Sequence, residues 1–156
     1  MDTYLLLKSL HIFGVVIFLG NIIVTGWWKV MADRTNNQQI IAFAQHQVTV
    51  TDYIFTLGGV LLIFVTGITN AELHGMDYYT VKWLVWGNAL FIASGVIWLA
   101  ILLPVQIKQA KMAKQFVAEE SIPEKYWKLG RLWIIFGTIA TLLPLANLYW
   151  MVFKPI

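Results

Sequence analysis

His11 is the side chain in this sequence best placed to do chemistry. It stands in Leu5-Leu6-Leu7-Lys8-Ser9-Leu10-His11-Ile12-Phe13-Gly14, early in a long apolar run. An imidazole at membrane depth needs an internal hydrogen-bond partner or a ligand, because hydrocarbon supplies neither. One ring nitrogen can ligate a metal while a hydrogen bond holds the other. The plainer alternative is a core histidine satisfied by an asparagine or a backbone carbonyl. Lys82, Asn88 and Asn147 are further polar groups in apolar surroundings, although a lysine near a helix end can also snorkel to the headgroups. Asn21, Thr25 and Asp52 form a second set, in which Asp52 either hydrogen-bonds Asn21 or Thr25 or handles a proton or ligand.

The elements that must carry these groups are membrane helices. The chain has 156 residues, 59% hydrophobic and 12% charged, with a mean hydropathy of +0.70, whereas soluble domains are about one quarter charged. That length leaves room for about four spans of ~20 residues and no separate soluble catalytic domain. The expected fold is all-α, a single-domain four-helix transmembrane bundle. Its helices are expected over about 4–31, 38–70, 79–107 with a solvated extension to about 115, and 126–153. Pro104 is expected to kink the last turns of the third helix. The first span ends in bulky Trp27 and Trp28 rather than a small-residue processing site, so it reads as a permanent helix.

The first and third connections with their flanks hold Lys29, Arg34, Lys108, Lys111, Lys114, Lys125, Lys128 and Arg131, against Lys8, Lys82 and Lys154 on the other side. Positive charge favours the cytoplasmic side, so both termini are expected outside. This bias accounts for the net charge of +3 and leaves no basic patch for nucleic acid. Cysteine is absent, which removes thiolate metal sites and thiol catalysis. No phosphate-binding loop, zinc-protease motif, nucleophile elbow or paired-carboxylate motif is present.

Periodicity groups the candidates. Leu7, His11, Gly14, Phe18, Asn21, Thr25 and Trp28 follow a 4-3-4-3 spacing on one face of the first helix. Gln45, Thr49, Asp52, Thr56, Gly59, Ile63, Thr66 and Asn70 share one face of the second, and the small and hydroxyl residues suit close helix seams. At about 1.5 Å per residue, His11, Lys82, Asn88 and Asn147 lie about 10, 4, 13 and 9 Å from the outer ends of their helices. They can therefore meet in the outer half. His46 lies roughly 28 Å from the level of His11 by the same rise, too far to share one metal ion within a chain.

Leu7-Lys8-Ser9-Leu10-His11-Ile12, Trp98-Leu99-Ala100-Ile101-Leu102-Leu103-Pro104-Val105-Gln106 and Met151-Val152-Phe153-Lys154-Pro155 resemble a bacterial family of small predicted integral membrane proteins of unknown function. The general pattern is more distantly similar to CopD-type copper-resistance proteins and HemJ-type protoporphyrinogen oxidases. The resemblance implies a multi-pass protein of the cytoplasmic (inner) membrane and a bound haem b, with His11 and Lys82 standing at the positions of the HemJ-type functional pair. Phe18 replaces a tryptophan of that type, and Trp28-Lys29 an arginine, so protoporphyrinogen oxidation is not carried over.

Three expectations follow. The first is haem b or a related porphyrin in the outer half, with His11 as axial ligand and metal-binding residue, and with Lys82, Asn88 and Asn147 around it. The sequence names no redox partner. The second is a non-enzymatic membrane component, a structural partner or a small-solute or copper permeation element, with Asn21, Thr25 and Asp52 as a polar seam. The third is proton-coupled transport through Asp52. Gly87, Ser94 and Gly95 on the third helix permit a homodimer.

Overall fold

Backbone polar groups in hydrocarbon must be satisfied within their own segment, which restricts a chain of this composition to helices. The computed structural model describes residues 2–118 and 121–155; Glu119 and Glu120 of the charged connector lie outside the described residues. Four helices are long and apolar enough to cross a membrane: α1 (Thr3–Arg34), α2 (Gln38–Leu73), α3 (Lys82–Phe116) and α4 (Glu124–Phe153). No strand occurs among the described residues. The all-α four-span fold expected from the sequence is therefore the observed one.

Local chemistry sets the helix ends. Asp2 caps α1 by accepting from the Tyr4 N–H at 3.0 Å. Asn37 caps α2 by accepting from the Gln39 and Ile40 N–H groups, an arrangement that satisfies donors left over in a first helical turn. After α2 the chain turns through Gly75 at φ +58°, a left-handed conformation that glycine adopts without steric cost. The Tyr78 hydroxyl then donates to the Ile68 carbonyl at 2.9 Å and folds this loop back on α2.

Two helices are widened near mid-span. Asp52–Thr56 in α2 and Trp98–Leu102 in α3 are π turns, closed by the Leu57 N–H to the Asp52 carbonyl and the Leu103 N–H to the Trp98 carbonyl. The second turn bears on Pro104, where a kink is expected from the sequence. Proline has no N–H to give the carbonyl four residues back and its ring crowds that carbonyl. The π turn lies directly before it, and α3 continues to Phe116.

The termini and the 74–81 loop share one end of the bundle, the terminal end; the two shorter connections lie at the other, the basic end. The helices pack unequally at the two ends. α1 packs along α2, and Lys82–Ile97 packs on α4, but among the described residues Leu57–Leu73 and Lys82–Ile97 do not pack on each other. Toward the basic end Leu103–Phe116 packs on Gln38–Thr51 and on α4. Both apolar cores lie in that half: Val48, Leu102, Val105, Trp133 and Ala140 form one, and Ile41, Ala113, Phe116 and Tyr126 the other. Toward the terminal end the bundle therefore divides into an α1/α2 pair and an α3/α4 pair.

Glycines set the α1/α2 spacing. A Cβ on Gly59 would lie 2.8 Å from the Phe18 Cβ and 3.0 Å from the Gly14 carbonyl oxygen. Gly59→Ala is predicted to destabilise the bundle by about 1–3 kcal/mol through overpacking against a rigid neighbour. Gly58, with nothing within 4 Å of such a Cβ, is the control, and Gly58→Ala should leave stability unchanged or slightly raised. Reversible unfolding in mixed micelles measures both.

Candidate functional site

The buried carboxylate is Asp52, at the first position of the α2 π turn and 6% exposed. Asn21 of α1 donates through Nδ2 to Asp52 Oδ1 at 2.9 Å and to Thr56 Oγ1 at 2.9 Å. Thr56 in turn donates to Asp52 Oδ1 at 2.9 Å. The hydrogen bond from Asn21 is thus formed as the antiparallel stripes led one to expect. Thr25 does not join it, because its hydroxyl donates to the Asn21 carbonyl at 2.6 Å. Gln106 and Trp98 of α3 face the same carboxyl group. No cationic side chain bonds it among the described residues.

Asp52 lies on the wall of a cavity of about 500 Å³ between the two helix pairs. The wall is mostly apolar, with Phe18, Ile22, Phe91, Trp98 and Trp133 among its members, and Asp52 is its one charged side chain among the described residues. Both π turns contribute residues to it, Asp52 and Thr56 from one and Trp98, Leu99 and Leu102 from the other. Widened turns of this kind frequently sit at functional sites. Here they lie between the packed basic end and the divided terminal end.

A second polar group lies toward the basic end. Lys29 reads from sequence as a basic flank at the interface, but it is 1% exposed. Its Nζ meets Asp33 Oδ2 at 2.8 Å and the Tyr126 hydroxyl at 3.4 Å, and it lies over the Tyr126 and Trp133 rings at 5.2 and 5.6 Å. Tyr126 completes the triangle by donating to Asp33 Oδ1 at 2.9 Å. A buried ammonium needs a counter-ion and further contacts to offset its lost hydration. The Lys29-x-x-x-Asp33 spacing was the available signal, since residues four apart adjoin on one helix face. Tyr126, Gln106, Gln109 and Trp133 gave no sequence signal.

The four residues expected to converge divide between the two helix pairs. His11 lies in the α1/α2 seam, its Nδ1 3.0 Å from Thr66 Oγ1 and its ring against Gly67. Asn147, like Met151, faces Gly87 within the α3/α4 pair, with its Oδ1 buried and unpartnered. Lys82 is the exposed first residue of α3, and Asn88 is half-buried one and a half turns on. None of the four lines the cavity. His46 is exposed, and no group of three His, Cys, Asp or Glu side chains able to hold a metal occurs among the described residues.

For haem b, the feature of an axial ligand is found at His11, and also at the exposed His74, whose Nδ1–H donates to the Asn70 carbonyl at 2.8 Å. The Thr66 hydroxyl proton is given to the Leu62 carbonyl at 2.6 Å, so Thr66 Oγ1 accepts from His11 Nδ1–H. The lone pair is then on Nε2, the tautomer that a ligating histidine adopts when its other nitrogen is held. Lys82, Asn88 and Asn147 do not complete a crevice around it.

The fold and the embedded polar site define a four-helix integral membrane protein. Residues 5–155 match the family described as "Predicted integral membrane protein (DUF2269)", and the chain belongs to that family. Neither curated proteins nor solved structures give a match. The more distant likeness to the CopD and HemJ types finds no support in these comparisons.

Lys29→Met leaves the Asp33 carboxylate, 14% exposed, without its counter-ion, and is predicted to cost about 3 kcal/mol in reversible micellar unfolding. Adding Asp33→Asn should recover most of that loss. A double variant no more stable than the single one would show that the ion pair is not the source.

Proposed function

We propose that this protein binds a small, mostly apolar molecule with a hydrogen-bond-donating head, taken from the bilayer into the cleft between the α1/α2 and α3/α4 pairs. The observation that carries this reading is the cavity of about 500 Å³ with Asp52 as its one charged wall residue among those described. An apolar pocket with a few placed polar groups is the usual form of a small-molecule site. Ile23, Trp27, Leu99 and Leu142 combine wall positions with outward exposure, which gives a lateral way in for a ligand dissolved in lipid. Asp52 accepts the donor of the ligand head, and its protonation releases that head, so binding is coupled to a proton. Intramembrane carboxylates commonly serve such proton-linked steps. The positive-inside bias puts the basic end on the cytoplasmic side.

N-phenylnaphthylamine, an apolar aromatic amine that fluoresces in apolar surroundings, tests this in lipid nanodiscs. The protein should show saturable fluorescence above empty nanodiscs. Asp52→Asn should weaken binding on the order of tenfold, the scale of one hydrogen bond to a charged group. Gly95 lines the cavity with open space at its Cβ, so Gly95→Phe should abolish the signal. Equal binding by wild type and Gly95→Phe would overturn the reading.

A second reading rests on the His11 tautomer. An Nε2 lone pair oriented by Thr66 suits an axial ligand of haem b at the α1/α2 seam. Protein purified after expression with haem supplied should then show a Soret band that His11→Ala removes. No band, or one unchanged by that substitution, would end this reading.

A further inference from the structure

Three glutamines lie at the basic-end side of the cavity, Gln106 on its wall and Gln45 and Gln109 off it, and each is at least nine-tenths buried: Gln45 and Gln106 are 1% exposed and Gln109 0%. Their partners fix the amide orientations. Gln45 Nε2 donates to the Gln106 carbonyl at 3.5 Å and Gln109 Nε2 to the Tyr126 carbonyl at 3.3 Å. The Trp133 indole N–H, which can only donate, gives its proton to Gln106 Oε1 at 3.1 Å. No flip of any amide preserves these bonds. Gln45 Oε1 and Gln109 Oε1 are then two buried acceptors without a protein partner, and Gln106 Nε2 is a buried donor that faces the Asp52 carboxyl group without closing a direct hydrogen bond to it.

Mixed orphan donors and acceptors in adjoining buried positions are the setting in which internal water is held, since each water needs two to four polar partners. One water can accept from Gln106 Nε2 and donate to Gln45 Oε1 beside Asp52, which Gln106 also faces. A second can donate one proton to Gln109 Oε1 and the other to the first water. About 4.5 Å of helix rise separates Gln106 from Gln109. Gln109 Nε2 and Asp33 Oδ2 both border Gly130, at 3.4 and 4.0 Å from its ideal Cβ position. The row thus ends at Lys29, Asp33 and Tyr126, of which Asp33 is 14% exposed.

We propose that Gln45, Gln106 and Gln109 hold a chain of internal waters that carries protons between the Lys29–Asp33–Tyr126 group and the Asp52 carboxylate. A proton from bulk water at the basic end enters beside Asp33, passes along the waters and forms the O–H bond of protonated Asp52; release reverses the path. The groups facing Asp52 are Asn21 of α1, Thr56 of α2, and Trp98 and Gln106 of α3. All are neutral, so no neighbouring charge fixes its protonation state, and the row sets how fast a proton reaches it. The chain serves the ligand site proposed above, and so rests on Asp52 titrating.

The test is a pH-jump infrared measurement on the full protein in nanodiscs. The Asp52 carboxylic C=O band is assigned by its loss in Asp52→Asn, and internal-water O–H bands by their shift in oxygen-18 water. Gln106→Leu and Gln109→Leu should each slow the rise of the Asp52 band on the order of tenfold, the low side of what a positioned proton-transfer group contributes. Both should also remove isotope-sensitive water bands. A wild-type protein without such water bands overturns the chain whatever the variants do. Unchanged rates in folded leucine variants also overturn it while leaving the ligand reading intact. If no titrating Asp52 band exists in the wild type, both readings fail together.

Discussion

Lys29 is the constraint on which the arrangement of the four helices depends. A lysine 1% exposed in a membrane bundle has to be met on every side, and here the demand draws in more than one helix. Asp33 comes from its own helix, while Tyr126 and Trp133 come from α4. α4 in turn is fixed to α3 through Gln109 on the Tyr126 carbonyl and Gln106 on the Trp133 indole, and Gln45 of α2 reaches the Gln106 backbone. One buried cation thereby ties all four helices at the basic end. Lipid gives little drive for helices to associate by apolar area alone, so such polar ties have more influence on the architecture than they would in water.

The tie at one end explains the division at the other. Away from the basic end, Phe18 against Phe91, with ring centroids 6.4 Å apart, bridges the α1/α2 and α3/α4 pairs. Within each pair glycine brings the helices together, Gly14 and Gly59 in one and Gly87 in the other. The cavity occupies the wedge between these pairs, and the two π turns supply wall residues at the level where packed core gives way to cleft. Asp52 is placed by the same geometry, since the π turn that widens α2 begins at that residue.

Depth and period were legible in the sequence; azimuth and neighbours were not. Gln45, Asp52, Gly59 and Thr66 recur every seven residues, and all four are buried as a seam pattern requires. The α1 stripe held from His11 to Thr25 and then failed at Trp28, which is exposed where Lys29 is buried. A strict 4-3 alternation averages 3.5 residues per turn, whereas an α-helix has 3.6, so the buried face drifts and steps of four take over. Thr25, Lys29 and Asp33 follow those steps. The basic and aromatic composition of Trp27-Trp28-Lys29 also matches a membrane interface, and composition cannot distinguish a lysine in headgroups from one in a core. The depths assigned to His11, Lys82, Asn88 and Asn147 concealed a similar problem: equal depth on four helices does not say which pairs touch. His11 meets Thr66 because α1 and α2 pack along their length, while Asn147 faces Gly87 in the other pair.

Asp33 and Asp52 illustrate how surroundings decide whether a carboxylate is tied to an opposite charge. Asp33 has a lysine at 2.8 Å and a tyrosine hydroxyl at 2.9 Å, so losing its charge would strand the ammonium beside it, and the pair is held as a unit. Asp52 is bonded by an amide and a hydroxyl, neutral donors that tolerate either charge state of the acid because no opposite charge is left behind. A carboxylate on an apolar cavity wall, without a counter-ion, is costly to keep for stability alone when an asparagine could bond the same neighbours. Neutral donors, cavity and mid-helix position together set Asp52 apart from the ion pair nearer the surface, whose charge is tied to its neighbour.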